Sequence, residues 1–357
     1  MNKGNGHWIG LLLMVSAGMF TACATETDNQ EVVGTGARYL SFSVTTKGAT
    51  RGQPISGWLT EPFGIYGYVY ADEWSGSETP DYMANEKVVS KRVKKELQWS
   101  TTKMFASPAP DNSLRIYAYY PFSEDNDEVL RMPTDVEGLP VLTVTVPTDV
   151  SKQVDFMTAS SDEISTDEFV DTYMKDETAA LPLTFAHRLT QIRFVTGHMQ
   201  ACTVKSIKLC GVKNSGTFIL GNNDWTGIAA TTADYEVENN VVVTGTPGQE
   251  LNDNERRLML LPQDPEGLAI ILTYNDGEGD HEVASTLPAG GIWNPGKVIT
   301  YALTLRRDLF IQCVSIKDWE DGGTMFGSIT DDTNLNATGE VKTWENTDDI
   351  NITKTTE

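Results

Sequence analysis

Basic residues are scarce in this chain of 357 residues: 27 Lys and Arg stand against 50 Asp and Glu, a formal net charge of −23. A phosphate backbone would be repelled over most of such a surface, which excludes general nucleic-acid binding. The longest basic cluster, Lys91-Arg92-Val93-Lys94-Lys95, is too short to reverse that. Histidine and cysteine are equally few, four of each. Beyond Cys23 only Cys202, Cys210 and Cys313 remain, an odd number, so no complete disulfide framework exists. Cys202 and Cys210 fall on one predicted strand, roughly 26 Å apart, and cannot bond to each other there. No apolar run is long enough to act as a stable bilayer span, and no tandem repeat is visible.

Catalytic and metal-binding patterns are also thin. Of the histidines, His187, His198 and His281 lie beyond the N-terminal segment, and none is spaced with another His or a Cys as metal ligands require. His187 sits in the alternation Phe185-Ala186-His187-Arg188-Leu189, the setting of a core or interface histidine. Residues 291–297 fit the first seven positions of a phosphate-binding loop. They fail on the eighth, because Val298 stands where Ser or Thr would hold magnesium and Pro295 removes an N–H from the cradle. Asp276, Glu278 and Asp280 alternate as in a calcium loop, but His281 occupies the glycine position and Leu287 the place of the bidentate Glu. There is no Gly-x-Ser-x-Gly elbow. We therefore expect no catalytic residues, no metal and no cofactor; the chain does not read as an enzyme.

What is present begins with an address. Lys3, an apolar run from Ile9 to Phe20 and the small residues Thr21-Ala22 before Cys23 read as a cleaved export signal. The segment resembles a bacterial lipoprotein signal, which implies lipidation at Cys23 once residues 1–22 are removed. That removal deletes Lys3 and leaves −24. Two or three acyl chains, at about 0.8 kcal/mol per buried methylene, would tether the product firmly. Residues 23–37 are polar and acidic and read as a flexible leash.

The remainder is rich in Gly (30), Pro (15), Thr and Val, the composition of many short strands and turns. Leu40, Phe42 and Val44 alternate with polar residues, a half-buried strand by its period of two. Thr46 to Pro54 breaks it with Gly, Arg and Pro. Further strands are predicted at 63–70, 113–120, 139–146, 183–196, 203–209, 216–220, 257–261, 268–274, 298–305 and 311–316, with turn signals such as Asn275-Asp276-Gly277 between them. Residues 88–97 fit a helical face as well as an edge strand. The pattern is all-β and sandwich-like. Seven acids face only Lys175 between Ser160 and Ala180, a stretch read as a linker without a core. It divides the chain into an N-terminal β-sandwich domain, 38–180, a C-terminal one, 181–322, and a polar tail, 323–357.

Taken in order, several short motifs carry a resemblance. They are the lipoprotein cysteine, Ala49-Thr50-Arg51-Gly52 after the first strand, Val154-Asp155-Phe156-Met157-Thr158-Ala159, the run from Leu183 to Phe194 through His187, Leu258 to Gln263, Trp293-Asn294-Pro295-Gly296-Lys297 leading into Tyr301 to Leu305, and Ile316-Lys317-Asp318-Trp319-Glu320-Asp321-Gly322. Together they resemble a Bacteroidales fimbrillin, the major and minor fimbria subunit family, from Cys23 to about Gly323. The resemblance implies two transthyretin-like Greek-key β-sandwich domains in tandem, export as a lipoprotein precursor to the outer membrane, and a place in a cell-surface fimbrium that mediates adhesion. It also implies proteolysis between Arg51 and Gly52, which would release the strand carrying Leu40, Phe42 and Val44 and open a groove for a strand from another fimbrial subunit. In the tail, Val341, Trp344, Ile350 and Ile352 form a sparse candidate donor. The competing reading is a monomeric surface lipoprotein that binds glycan or host protein through Trp58, Tyr66, Tyr68, Tyr70 and Trp74. Alternation of the three tyrosines on one strand face favours core packing for them instead.

Overall fold

A computed structural model describes residues 36–319, apart from 47–58, 60, 72, 94–95, 125–126, 134–135, 177, 223 and 253–255. Cys23, Arg51, Gly52, Trp58 and the tail residues Val341, Trp344, Ile350 and Ile352 lie outside the described residues.

The first part of the chain supplies β1 (Ser41–Thr46), β2 (Phe63–Tyr70), β3 (Met83–Val93), β4 (Glu96–Thr101), β5 (Ser113–Tyr120), β6 (Leu130–Arg131), β7 (Val141–Thr145), β8 (Met157–Ser160), β9 (Ile164–Ser165) and β10 (Leu181–His187). The second supplies β11 (Thr190–Met199), β12 (Cys202–Lys213), β13 (Ser215–Ile219), β14 (Trp225–Ile228), β15 (Thr232–Val243), β16 (Leu258–Leu260), β17 (Ala269–Asn275), β18 (Asp280–Thr286), β19 (Lys297–Leu305) and β20 (Leu309–Asp318). The protein is all-β, as its composition predicts, with several sheets as in a β-sandwich. One sheet runs β2-β3-β4-β1-β10-β8-β5-β9, and because β2 also pairs β5 it closes on itself. Three four-stranded sheets follow: β16-β11-β19-β20, β15-β12-β17-β18 and β14-β13-β7-β6.

Closure explains why β2 and β5 are apolar on both faces. Phe63, Ile65, Leu114, Ile116 and Ala118 point into a core inside the closed sheet. The alternate residues Tyr66, Tyr68, Tyr70, Tyr117 and Tyr119 join a second, larger core built by the other three sheets. This wall serves two cores at once, so a strand face that reads as an aromatic stripe is interior. Gly64 is required within it: a Cβ there would meet the Tyr119 ring at 2.2 Å.

Several expectations are corrected. Of the two alternatives for 88–97 the described residues take the strand: β3 and β4 pair antiparallel, from Val88 opposite Thr101 to Val93 opposite Glu96. The acidic stretch 160–180 is not without a core. Ser165 caps a short helix, α1 (Thr166–Phe169), its hydroxyl accepting from the Glu168 N–H at 3.2 Å, and a wider turn continues from Val170 to Met174. Phe169, Val170, Tyr173 and Met174 fall on one helical face, and that face packs into the closed sheet's core. The acids sit on its solvent side, so the net composition hid the spacing. The predicted strand 183–196 breaks at Arg188–Leu189, where the chain leaves the closed sheet through β10 and joins another through β11. The sheets also interleave in sequence, because β7 pairs β13 across five residue pairs. The twelve-residue β15 escaped notice although Tyr235 and Val237 alternate with Glu236 and Glu238 in the expected way.

Candidate functional site

The first strand has an unusual seat. Among the described residues its two neighbours, β4 and β10, do not pair with each other. It runs parallel to β10 with Phe42 opposite Leu181, Val44 opposite Leu183 and Thr46 opposite Phe185. Against β4 it is antiparallel, with Ser41 opposite Ser100 and Phe42 opposite Trp99. The period of two sends Leu40, Phe42, Val44 and Thr46 inward, and all four are buried, at 2, 3, 6 and 3% exposure. The Phe42 ring meets Phe63 edge-on at 5.9 Å, and Phe63 in turn touches Trp99 and Phe185, each at 5.3 Å. On the outward face Thr45 Oγ1 and Thr184 Oγ1 lie 3.1 Å apart. β1 is thus interior to its sheet, and its loss would create two unpaired edges at once.

The strand is fastened most heavily at its start. Arg38 and Phe105 exchange backbone hydrogen bonds at 2.9 and 2.8 Å, and the Thr101 N–H donates to Leu40 O at 3.0 Å. Leu40 N–H donates to Thr101 Oγ1 at 3.0 Å. The Arg38 guanidinium also donates to the carbonyl of Met174, which ties the acidic helical segment to the beginning of β1. Toward its end the strand has less: among the described residues Ser43 to Thr46 pair only with β10.

A second set of motif residues converges where the chain crosses between sheets. His187, at the end of β10, is buried and stacks on Trp319 with ring centroids 4.2 Å apart and planes 3° from parallel. Its Nδ1 lies 2.7 Å from Asp155 Oδ2. The Trp319 N–H donates to Gly296 O at 2.8 Å, the Gly296 N–H to Leu189 O at 2.9 Å, and the Arg188 N–H to Phe156 O at 2.9 Å. Gly296 has φ +68°, a left-handed conformation that favours glycine. Four of the sequence motifs therefore meet at one junction, where they serve as mutual supports. His187 is an interface histidine, as its alternation suggested; its partners Asp155 and Trp319 were not predictable from spacing.

The loop before β19 is a turn in which Trp293 is buried and donates through Nε1 to Tyr301 Oη at 2.9 Å. The Asp276 region forms the β17–β18 hairpin tip, with Asp276 Oδ1 accepting from the Glu278 and Gly279 N–H groups. Those backbone donors hold the Asp276 carboxyl below its ordinary range. Cys202, Cys210 and Cys313 carry free, half-buried thiols whose pKa burial pushes up. Of the aromatics considered for ligand binding, Tyr66, Tyr68 and Tyr70 are buried, and Trp74 packs against Tyr68 and Tyr70 at 5.3 and 5.1 Å.

A sequence profile described as fimbrillin-like matches residues 49–319, three quarters of the chain. The chain belongs to the fimbrillin-like family. Among solved structures it is similar to a fimbrial protein from Bacteroides vulgatus, with 16% identity and a TM-score of 0.54 over 78% of this chain and 99% of that one. It is also similar to a Bacteroides ovatus protein described in terms of cell adhesion, with 14% identity and a TM-score of 0.53 over 80% of this chain and 99% of the other. At these identities the likeness concerns the fold. No match was found among curated protein sequences. The fimbrillin-like region begins after β1, so the seat of the first strand is described by this chain's own geometry.

Proposed function

We propose that this fimbrillin-like protein is a structural subunit of a surface fimbria, exported as a precursor lipidated at Cys23 and activated by cleavage between Arg51 and Gly52. Cleavage frees β1, and an extended strand from a neighbouring subunit takes its place. The observation that carries this reading is the interior position of β1: β4 and β10 do not pair with each other, so departure of β1 leaves unpaired backbone on both sides of an apolar slot. A slot of that kind recruits a strand, which satisfies the backbone and refills the pockets together. Burial of Leu40, Phe42 and Val44 contributes roughly 5–8 kcal/mol before entropy, so the vacated groove is strongly unfavourable. The two cores correspond in this reading to tandem transthyretin-like units, and Val341, Trp344, Ile350 and Ile352 supply the candidate donor. The role is architectural and adhesive, at the cell surface, with other fimbrial subunits as partners.

The test is treatment of the purified chain, from Cys23 onward, with an Arg-specific protease, with and without residues 340–357. Detergent-resistant, heat-labile ladders that require the tail support both the exchange and its donor. Ladders that form without the tail move the donor elsewhere. A cleaved protein that stays monomeric with β1 bound refutes the mechanism.

A further inference from the structure

The fourth inward position of β1 is at odds with the other three. Leu40, Phe42 and Val44 are apolar, but Thr46, opposite Phe185 in register, places a buried hydroxyl on the same inward face. Thr46 is 3% exposed, and its Oγ1 has no hydrogen-bond partner among the described residues. Its outward neighbour Thr45 does find one, 3.1 Å away at Thr184. An unsatisfied buried hydroxyl is a net cost to the state that contains it. Replacing the oxygen by a methyl group of similar shape removes that cost and adds apolar contact. The pocket at this position is therefore better matched by valine or isoleucine than by the residue β1 provides.

We infer that position 46 is where the groove discriminates against its own first strand, so that the fitting occupant is an extended segment with a β-branched apolar residue at its fourth inward position. The inference rests on the strand-replacement reading of the groove and adds to it a direction and a preference. The mismatch lies in the half of β1 that pairs, among the described residues, with β10 alone. The start of the strand is held from both sides and by Arg38. Opening thus begins at Thr46, the end nearer to Arg51 in sequence. An incoming strand gains its first contacts at Leu183 and Phe185, then displaces Val44, Phe42 and Leu40 in that order. The mismatch is confined to one end, so the precursor keeps its strand while the strand remains replaceable.

Hydrogen exchange on the uncleaved chain tests the mismatch without any cleavage step. In the wild type the Val44–Thr46 amides are expected to exchange at least about tenfold faster than those of Ser41 and Phe42. Thr46→Val is expected to slow that end about fivefold or more, while Thr45→Val leaves it within about twofold. Unchanged or faster exchange in Thr46→Val would overturn the inference, because it would mean that the hydroxyl is satisfied. A second arm uses Arg-protease-treated protein and synthetic 39–46 peptides. The peptide with Val at its last position is expected to replace the resident strand at about fivefold lower concentration than the Thr peptide. Equal potency overturns the preference. Failure of both peptides, with the exchange result intact, refutes the strand-replacement reading and leaves the mismatch standing.

Discussion

Truncating Phe42 to alanine tests whether the first strand is a member of the core or a cover on it. The side chain is 3% exposed and its ring meets Phe63 edge-on at 5.9 Å. Phe63 is itself packed against Trp99 and Phe185, each with ring centroids at 5.3 Å, and is fully buried, which limits its movement into the vacated space. The space left by the missing ring therefore persists as a cavity. That puts Phe42→Ala toward the upper part of the ~3–5 kcal/mol typical of buried Phe→Ala changes, of which about 0.5–1.5 kcal/mol is the lost ring contact. Thr45→Ala is the control. It removes a partly exposed hydroxyl three residues along on the outward face and is expected to stay within about 0.5 kcal/mol. Both are read from urea unfolding of the uncleaved chain, with the slope on denaturant compared to ensure that the same surface is being exposed. A loss below about 1 kcal/mol for Phe42→Ala, or equal losses for the two variants, would refute the inward–outward assignment of β1 and the groove argument with it.

Three further outcomes follow from other parts of the molecule. Trp319→Ala removes the coplanar stack on His187 and is expected to cost about 3–5 kcal/mol; in thermal melts the double change with His187→Ala should cost clearly less than the sum, and strict additivity would show that the rings act independently. Gly64→Ala forces a methyl to within 2.2 Å of the Tyr119 ring, so a loss of at least about 1–3 kcal/mol is expected, and a neutral result in chemical denaturation would contradict the packing of the wall between the cores. The Arg115 guanidinium holds the Glu163 carboxyl below its ordinary value, so the pair's stabilisation is present above the usual glutamate range and fades as pH falls through the lowered folded-state pKa; Glu163→Gln should accordingly differ from wild type in melting temperature at neutral pH and converge with it in acid, whereas a gap that widens as pH falls would reverse the sign.

Much of the architecture was legible because one property, alternation, survives any tertiary context. The limits of β2 and β5 fall where the apolar runs 63–70 and 113–120 begin and end. The break at Arg188–Leu189 was not legible: inward residues continue on both sides of it, and only the change of partner sheet, from β8 and β1 to β16 and β19, marks the corner. Average charge misled in the acidic stretch, where Phe169 and Met174 are buried behind a solvent face of carboxylates. At the candidate site the inward set Leu40, Phe42 and Val44 could be read directly. Its interior position between β4 and β10 could not, because parallel pairing with a strand some 140 residues later leaves no local trace.

The distribution of motif residues reflects different demands at the two sites. The junction uses side chains for which few substitutes exist. Gly296 must hold a positive φ, and a Cβ there would approach the His187 carbonyl to 3.4 Å. Trp319 must lie flat on His187, at a position its backbone N–H fixes by donating to Gly296 O. His187 must also present a ring nitrogen to Asp155. Such constraints fix identities, so fragments around them read as signatures. The seat of β1 asks only for an extended backbone and apolar groups on alternate positions, a demand that many sequences meet. In the strand-replacement reading proposed above, β1 has to be replaceable by a strand of different sequence, and recognition through backbone pairing and generic pockets allows that. The recognisable fragments therefore mark the junction between sheets, and the seat of β1 is marked by pattern alone. Thr46 is the one departure from that apolar series, a buried hydroxyl without a hydrogen-bond partner among the described residues, and so the place on β1 where the inferred preference would make identity matter.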